Sequence, residues 1–141
     1  MNFISLDTAR RIADFAFQDA LRRGISKVSI VVTDVGGNIR VALRADAAGT
    51  FGVDTALGKA RTALGFNASS LSLSRVFEAT PVAAAAISAA TAGRFVPIGG
   101  GVVVVGADGS VVGAAAMSGG MPEIDDEIVT RAIVESGLQV K

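Results

Sequence analysis

Five short stretches of this chain carry residue types and spacings suited to chemistry. Lys59 sits in Ala56-Leu57-Gly58-Lys59-Ala60. A lysine among small apolar neighbours is either partly buried, with a lowered pKa suited to proton transfer or anion binding, or it snorkels to the surface. Arg94 lies between Gly93 and Phe95. Its guanidinium either clamps a ligand carboxylate in a fork or pairs with an acidic residue of the last helix. Gly99-Gly100-Gly101 and Ser118-Gly119-Gly120 leave backbone amides uncovered. Such amides hold an anion or a developing oxyanion, or serve turns that only need permissive angles. Asp125 and Asp126, followed by Glu127, supply carboxylates that move a proton or complement a helix N-terminus. The expected site is a small hollow of main-chain edges at Gly99–Gly101, with Lys59 and Arg94 as its cations and Ser118–Gly120 as a second anion-binding edge.

What is missing narrows the chemistry further. The 141 residues include no His, Cys, Tyr or Trp. That removes thiol catalysis, disulfides, the commonest metal ligand and the usual general base. The glycine triplet precedes a valine run, whereas a phosphate-binding fingerprint follows a strand and opens a helix. A shared metal ion on Asp125 and Asp126 is not expected, because adjacent helical residues point about 100° apart. Lys plus Arg equals Asp plus Glu, 13 each, so there is no basic field for nucleic acid or for a membrane surface. The charged fraction of 18% falls below the roughly 25% of an average domain. Part of the surface is therefore expected to lie against other copies of the chain. The charge-free stretches 79–93, 95–107 and 109–122 are each shorter than the roughly 18 residues of a spanning helix, and no secretory leader is visible. A cytoplasmic protein is expected.

The elements that position these residues follow from periodicity. Ser5 caps a helix over about Leu6–Arg23, with Ala9, Ala13, Phe17 and Ala20 on one face. Val28–Thr33 and Ile39–Arg44 alternate around Asp34-Val35-Gly36-Gly37-Asn38 and form an antiparallel hairpin. Val53–Phe66 is helical with Val53, Leu57, Ala60, Leu64 and Phe66 inward. Ser69–Phe77 and Val82–Thr91 are shorter helices. Phe95–Ile98 and Gly101–Val105 are strand-like, and Asp108-Gly109 turns the chain back into Val111–Met117. Pro122 opens a last helix running toward Gly137. These elements imply one α+β domain over residues 1–141, with helices packed on a single antiparallel sheet.

In combination, these motifs resemble the GlcG/HbpS-like family. The resemblance rests on Val28–Asn38, on Val53-Asp54-Thr55-Ala56-Leu57-Gly58-Lys59-Ala60-Arg61-Thr62-Ala63, and on Gly93-Arg94 with Pro97 and Gly99-Gly100. It continues through Val111-Val112-Gly113-Ala114 and Ser118-Gly119-Gly120 with Asp125-Asp126. The same domain forms the C-terminal part of PduO-type corrinoid adenosyltransferases. The resemblance implies a profilin-like five-stranded antiparallel sheet flanked by helices, an α-β-α sandwich. It also implies homo-oligomers, often octamers, and for some members haem binding or haem degradation. The family's Asp-Glu pair stands here as Asp125-Asp126, and the Gly-Gly-His of many relatives ends here as Gly37-Asn38. Haem is the cofactor implied, yet without His its iron would need Met117, Met121, Lys59 or an oxygen ligand, or its propionates would be held by Arg94 or Lys59.

The expected function is a binding module for a small, partly apolar ligand, either a tetrapyrrole or a catabolic intermediate. The alternative is a metal-independent hydratase, isomerase or lyase. In that enzyme Lys59, Asp125 or Asp126 would move the proton, and the Gly119 and Gly120 amides would stabilise an oxyanion. A third reading is an assembly partner for another enzyme.

Overall fold

A computed structural model describes residues 3–141. Helix α1 spans Leu6–Arg22, and the Ser5 side chain accepts from the Thr8 N–H at its start. Strands β1 (Ser29–Thr33) and β2 (Ile39–Arg44) form the hairpin expected from their alternation. Then come α2 (Gly52–Phe66), α3 (Ser70–Glu78) and α4 (Pro81–Ala90). Strands β3 (Gly101–Val105) and β4 (Val111–Ser118) follow, then α5 (Pro122–Glu135) and the two-residue β5 (Gln139–Val140).

The five strands form one antiparallel sheet in the order β2-β1-β4-β3-β5. Side chains alternate across the sheet, so each strand serves two layers. Ile30, Val32, Val102, Val104, Ala115 and Met117 pack against α1 and α5. Val31, Ala114 and Ala116 pack against Ala56 and Ala60 of α2, and Val103 meets Ala63. The result is the α-β-α sandwich with a five-stranded antiparallel sheet expected for this chain. Among the described residues, no helix is long and apolar enough to cross a membrane.

Two details depart from the sequence reading. Residues 95–98 do not form a strand. The Val96 N–H donates to Thr62 Oγ1 of α2 at 2.7 Å, and Pro97 has no N–H to give a ladder. The fifth strand is β5 instead. On α2 the small residues Ala56, Ala60 and Ala63 are buried, while Val53, Leu57 and Leu64 are only partly so. Small side chains let this helix lie close to the sheet, which is what brings Lys59 to the interior.

Candidate functional site

The expected site residues fall into two places. The first is a closed interior centre. Lys59 faces the sheet from α2 and is 3% exposed; Asp125, in the first turn of α5, is fully buried. Lys59 Nζ donates to the Met117 carbonyl at 2.9 Å and lies 3.5 Å from Asp125 Oδ2. Asp125 Oδ1 accepts from the Gly120 N–H at 3.1 Å. The lysine thus ties α2 to the end of β4 and to α5. Gly100 makes the approach possible. Its φ is +131°, and a Cβ there would sit 2.6 Å from the Met117 carbonyl oxygen and 3.1 Å from Lys59 Nζ.

Burial sets the electrostatics of this centre. It lowers the Lys59 pKa from its usual value, against the pull of Asp125. It raises the Asp125 carboxyl to about 6, against stabilisation by Lys59 and by the Gly120 N–H. Two of the glycine amides here are already engaged: Gly101 N–H donates to Ser70 Oγ at 2.7 Å, and Gly120 N–H is held by Asp125. Ser118 Oγ donates to the Gly52 carbonyl at 2.6 Å, tying β4 to the start of α2. Gly99 packs against Leu71 and Pro122. Asp126 turns away from this group. Burial raises its pKa, Arg75 opposes the shift, and its Oδ1 has no hydrogen-bond partner among the described residues.

The second place is an open cleft of about 440 Å³. Its walls are the β1–β2 turn (Gly36, Gly37, Asn38), the last turns of α2 (Arg61, Leu64, Phe66), Ile87 of α4, and Thr91, Arg94 and Phe95. Arg94 therefore belongs here and not with Lys59. Its Nε donates to the Thr91 carbonyl at 2.8 Å, so its described partner is not on the last helix. Arg61 Nε donates to the Gly37 carbonyl at 3.1 Å. Gly37 has φ +75°, and a Cβ there would meet Arg61 Cγ at 3.0 Å. Among the described residues neither arginine forms a salt bridge. Phe66, Phe95 and Phe77 make an aromatic trio with centroid separations of 5.0–5.6 Å. Two of these rings line the cleft.

Sequence reasoning missed Arg61 and the turn as cleft-lining residues, and Phe66, expected inward, is instead 43% exposed on the cleft wall. A signal for Arg61 was present: residues two apart on a helix point about 200° apart, so a buried Lys59 sends Arg61 outward to the opposite side. The arginine sits beside the Gly-Gly turn because α2 packs under the hairpin.

With this geometry in place, the family can be read from the whole chain. The family model described as haem degrading protein HbpS-like matches residues 4–134. The chain belongs to the HbpS-like family. Among solved structures, a double mutant of Streptomyces reticuli HbpS is 26% identical with a TM-score of 0.80, covering 96% of this chain and 88% of that one. PduOC in complex with haem is 26% identical with a TM-score of 0.84, covering 99% and 97%. Klebsiella pneumoniae ORFY is 25% identical with a TM-score of 0.86, covering 97% and 92%. No curated protein matches the sequence significantly. The resemblance drawn from the ordered motifs is thus borne out at the level of family and fold.

Proposed function

We propose that this HbpS-like protein is an oligomeric small-molecule-binding protein and that its ligand sits in the cleft between the β1–β2 turn and the C-terminal half of α2. The carrying observation is the pairing of two arginines free of carboxylate partners with an aromatic wall in one open cleft. Its volume falls within the roughly 300–1,000 Å³ of small-molecule sites. The description of the family as haem degrading and the haem complex of PduOC support a ligand of tetrapyrrole size, with a smaller catabolic intermediate as the other candidate.

Haem itself meets a mixed fit. Haem iron is ordinarily held by His, Cys, Met or Tyr. Among the described residues none of these lines the cleft. Met117 is buried on the α1–α5 side of the sheet, Met121 lies outside the cleft, and Lys59 is engaged with Met117 and Asp125. An axially ligated haem does not fit these residues, whereas propionates would find Arg61 and Arg94.

Homo-oligomer formation is supported by the surface. Phe51 is 75% and Val82 is 82% exposed, and α4 carries no charged residue and buries none of its side chains in one chain. Apolar surface of this kind favours association. The octamer and the cytoplasmic placement implied earlier stay part of this reading. Native mass spectrometry of the protein as isolated tests it. Multiples of the chain carrying a retained small molecule are expected. A ligand-free monomer that also binds no added candidate would overturn the proposal.

One observation favours the enzyme reading. Lys59 and Asp125 have pKa values moved toward one another, as expected for a proton-transfer pair. In a hydratase, isomerase or lyase these two would do the chemistry with the Gly119 amide, whereas Asp126 turns away and the Gly120 amide is held by Asp125. That reading requires the centre to open, since neither side chain reaches solvent. Turnover of any substrate lost in a Lys59→Met variant that circular dichroism shows to be folded, but kept in Arg94→Gln, would support it.

A further inference from the structure

The donor set of the cleft favours an acid group over a metal, and this deepens the binding reading above, on which it rests. Arg61 and Arg94 each commit Nε to a backbone carbonyl, and their terminal nitrogens have no hydrogen-bond partner among the described residues. No carboxylate side chain lines the cleft to neutralise them. The nearest turn acid, Asp34, is occupied by the N–H groups of Gly36 and Asn38 and by the Asn38 side-chain amide. Two fixed guanidiniums without acid partners suit a carboxylate. Phe66 presents a half-exposed ring braced by Phe77 and Phe95 at 5.6 and 5.4 Å, a flat apolar surface that favours stacking.

We infer that the cleft takes a flat, apolar carboxylate, its acid group gripped by Arg61 and Arg94 and its body laid against Phe66, with no bond from the protein to any metal. A porphyrin qualifies through its propionates whether or not it carries iron, and so does a smaller aromatic acid.

The test compares three probes on the full-length protein as purified: haemin, metal-free protoporphyrin IX and protoporphyrin IX dimethyl ester. Haemin and the metal-free acid are expected to bind with dissociation constants within about threefold of each other. The ester and the Arg94→Gln variant are each expected to lose about tenfold, the scale of one charge-assisted hydrogen bond. Arg94 is exposed, so the variant should keep the wild-type melting temperature. Asn38→His places an imidazole on the cleft wall and should create a high-spin, imidazole-ligated haemin spectrum absent from the wild type. Haemin bound at least tenfold more tightly than the metal-free acid, with a ligand-field spectrum in the wild type, would overturn the inference. Should neither porphyrin bind, the molecule retained in native mass spectrometry decides. An apolar acid that Arg94→Gln loses sustains the inference, and a retained molecule without an acid group refutes it while leaving the binding reading intact. With nothing bound and nothing retained, both fail.

Discussion

Two cationic places lie within three residues of each other on α2, and they differ in almost every physical respect. Lys59 is buried, paired with Asp125 and bonded to a backbone carbonyl. Arg61 opens onto a cleft and shares it with Arg94, with no acid partner. A buried charge survives only with partners, so the interior pair reads as a brace whose removal damages the fold. A guanidinium at the edge of an open cleft, bonded only to a backbone carbonyl, needs no acid partner to be tolerated, so its lack of one is informative about ligands and nearly silent about stability. The contrast separates what holds the molecule together from what it offers to others.

The largest effect is expected at the brace. Lys59→Met should strip the Met117 carbonyl and Asp125 of their cation and destabilise the protein by about 3–5 kcal/mol, read by urea denaturation. Adding Asp125→Leu should recover much of that loss, because the orphaned carboxyl is gone. Equal stability of Lys59→Met and wild type would dissolve the distinction between the two places.

Next is a pH dependence. The folded Asp125 pKa of about 6 exceeds the ordinary aspartate value of 3.8. A raised carboxyl pKa means the folded state holds this proton more tightly. Its contribution to stability is complete below the unfolded pKa and is lost as pH rises through about 6. Lys59, with its lowered pKa, acts in the opposite sense on the alkaline side. Melting curves between pH 4 and 7 should show a falling component in the wild type that Asp125→Asn lacks; parallel slopes would count against the assignment.

A smaller effect is expected at the cleft wall. Phe66→Ala should lower stability by about 1 kcal/mol through lost ring contacts and weaken any bound aromatic acid. The smallest is at the cleft cations. Arg61→Gln and Arg94→Gln should change unfolding free energy by no more than about 0.5 kcal/mol while binding falls. Destabilisation by either of more than about 2 kcal/mol would make these arginines structural and erase the comparison.

The fold was largely legible because its signals are periodic and local. Alternation at residues 28–33 and 39–44, the Asp-Gly turn at 108–109 and the helical spacing of Ala9, Ala13 and Ala20 place most elements within a residue or two. What escaped was set by partners distant in sequence. Residues 95–98 read as a strand because Phe95, Val96 and Ile98 are apolar, yet Thr62 holds Val96. Gln139–Val140 is too short to show a pattern and pairs only because Val104 and Val105 wait beside it. At the site, Lys59 stood out through its small neighbours, and the structure sets it beside Gly100 and Asp125. The link from Lys59 to Arg94 did not follow, because it depended on which side of α2 faces loop 91–95. Val53, Leu57 and Leu64 were expected to point inward on that helix with Ala60, whereas Ala56, Ala60 and Ala63 do, and this rotation decides which cation goes inside.

Placing both cations on one helix also constrains how this lineage can change. A single residue inserted into or deleted from α2 between Lys59 and Arg61 would swing one cation about 100° away from its duty while leaving the other in register. Substitution is open to that segment, but a change of length is not, so its residue count should stay frozen across descendants even where its letters drift.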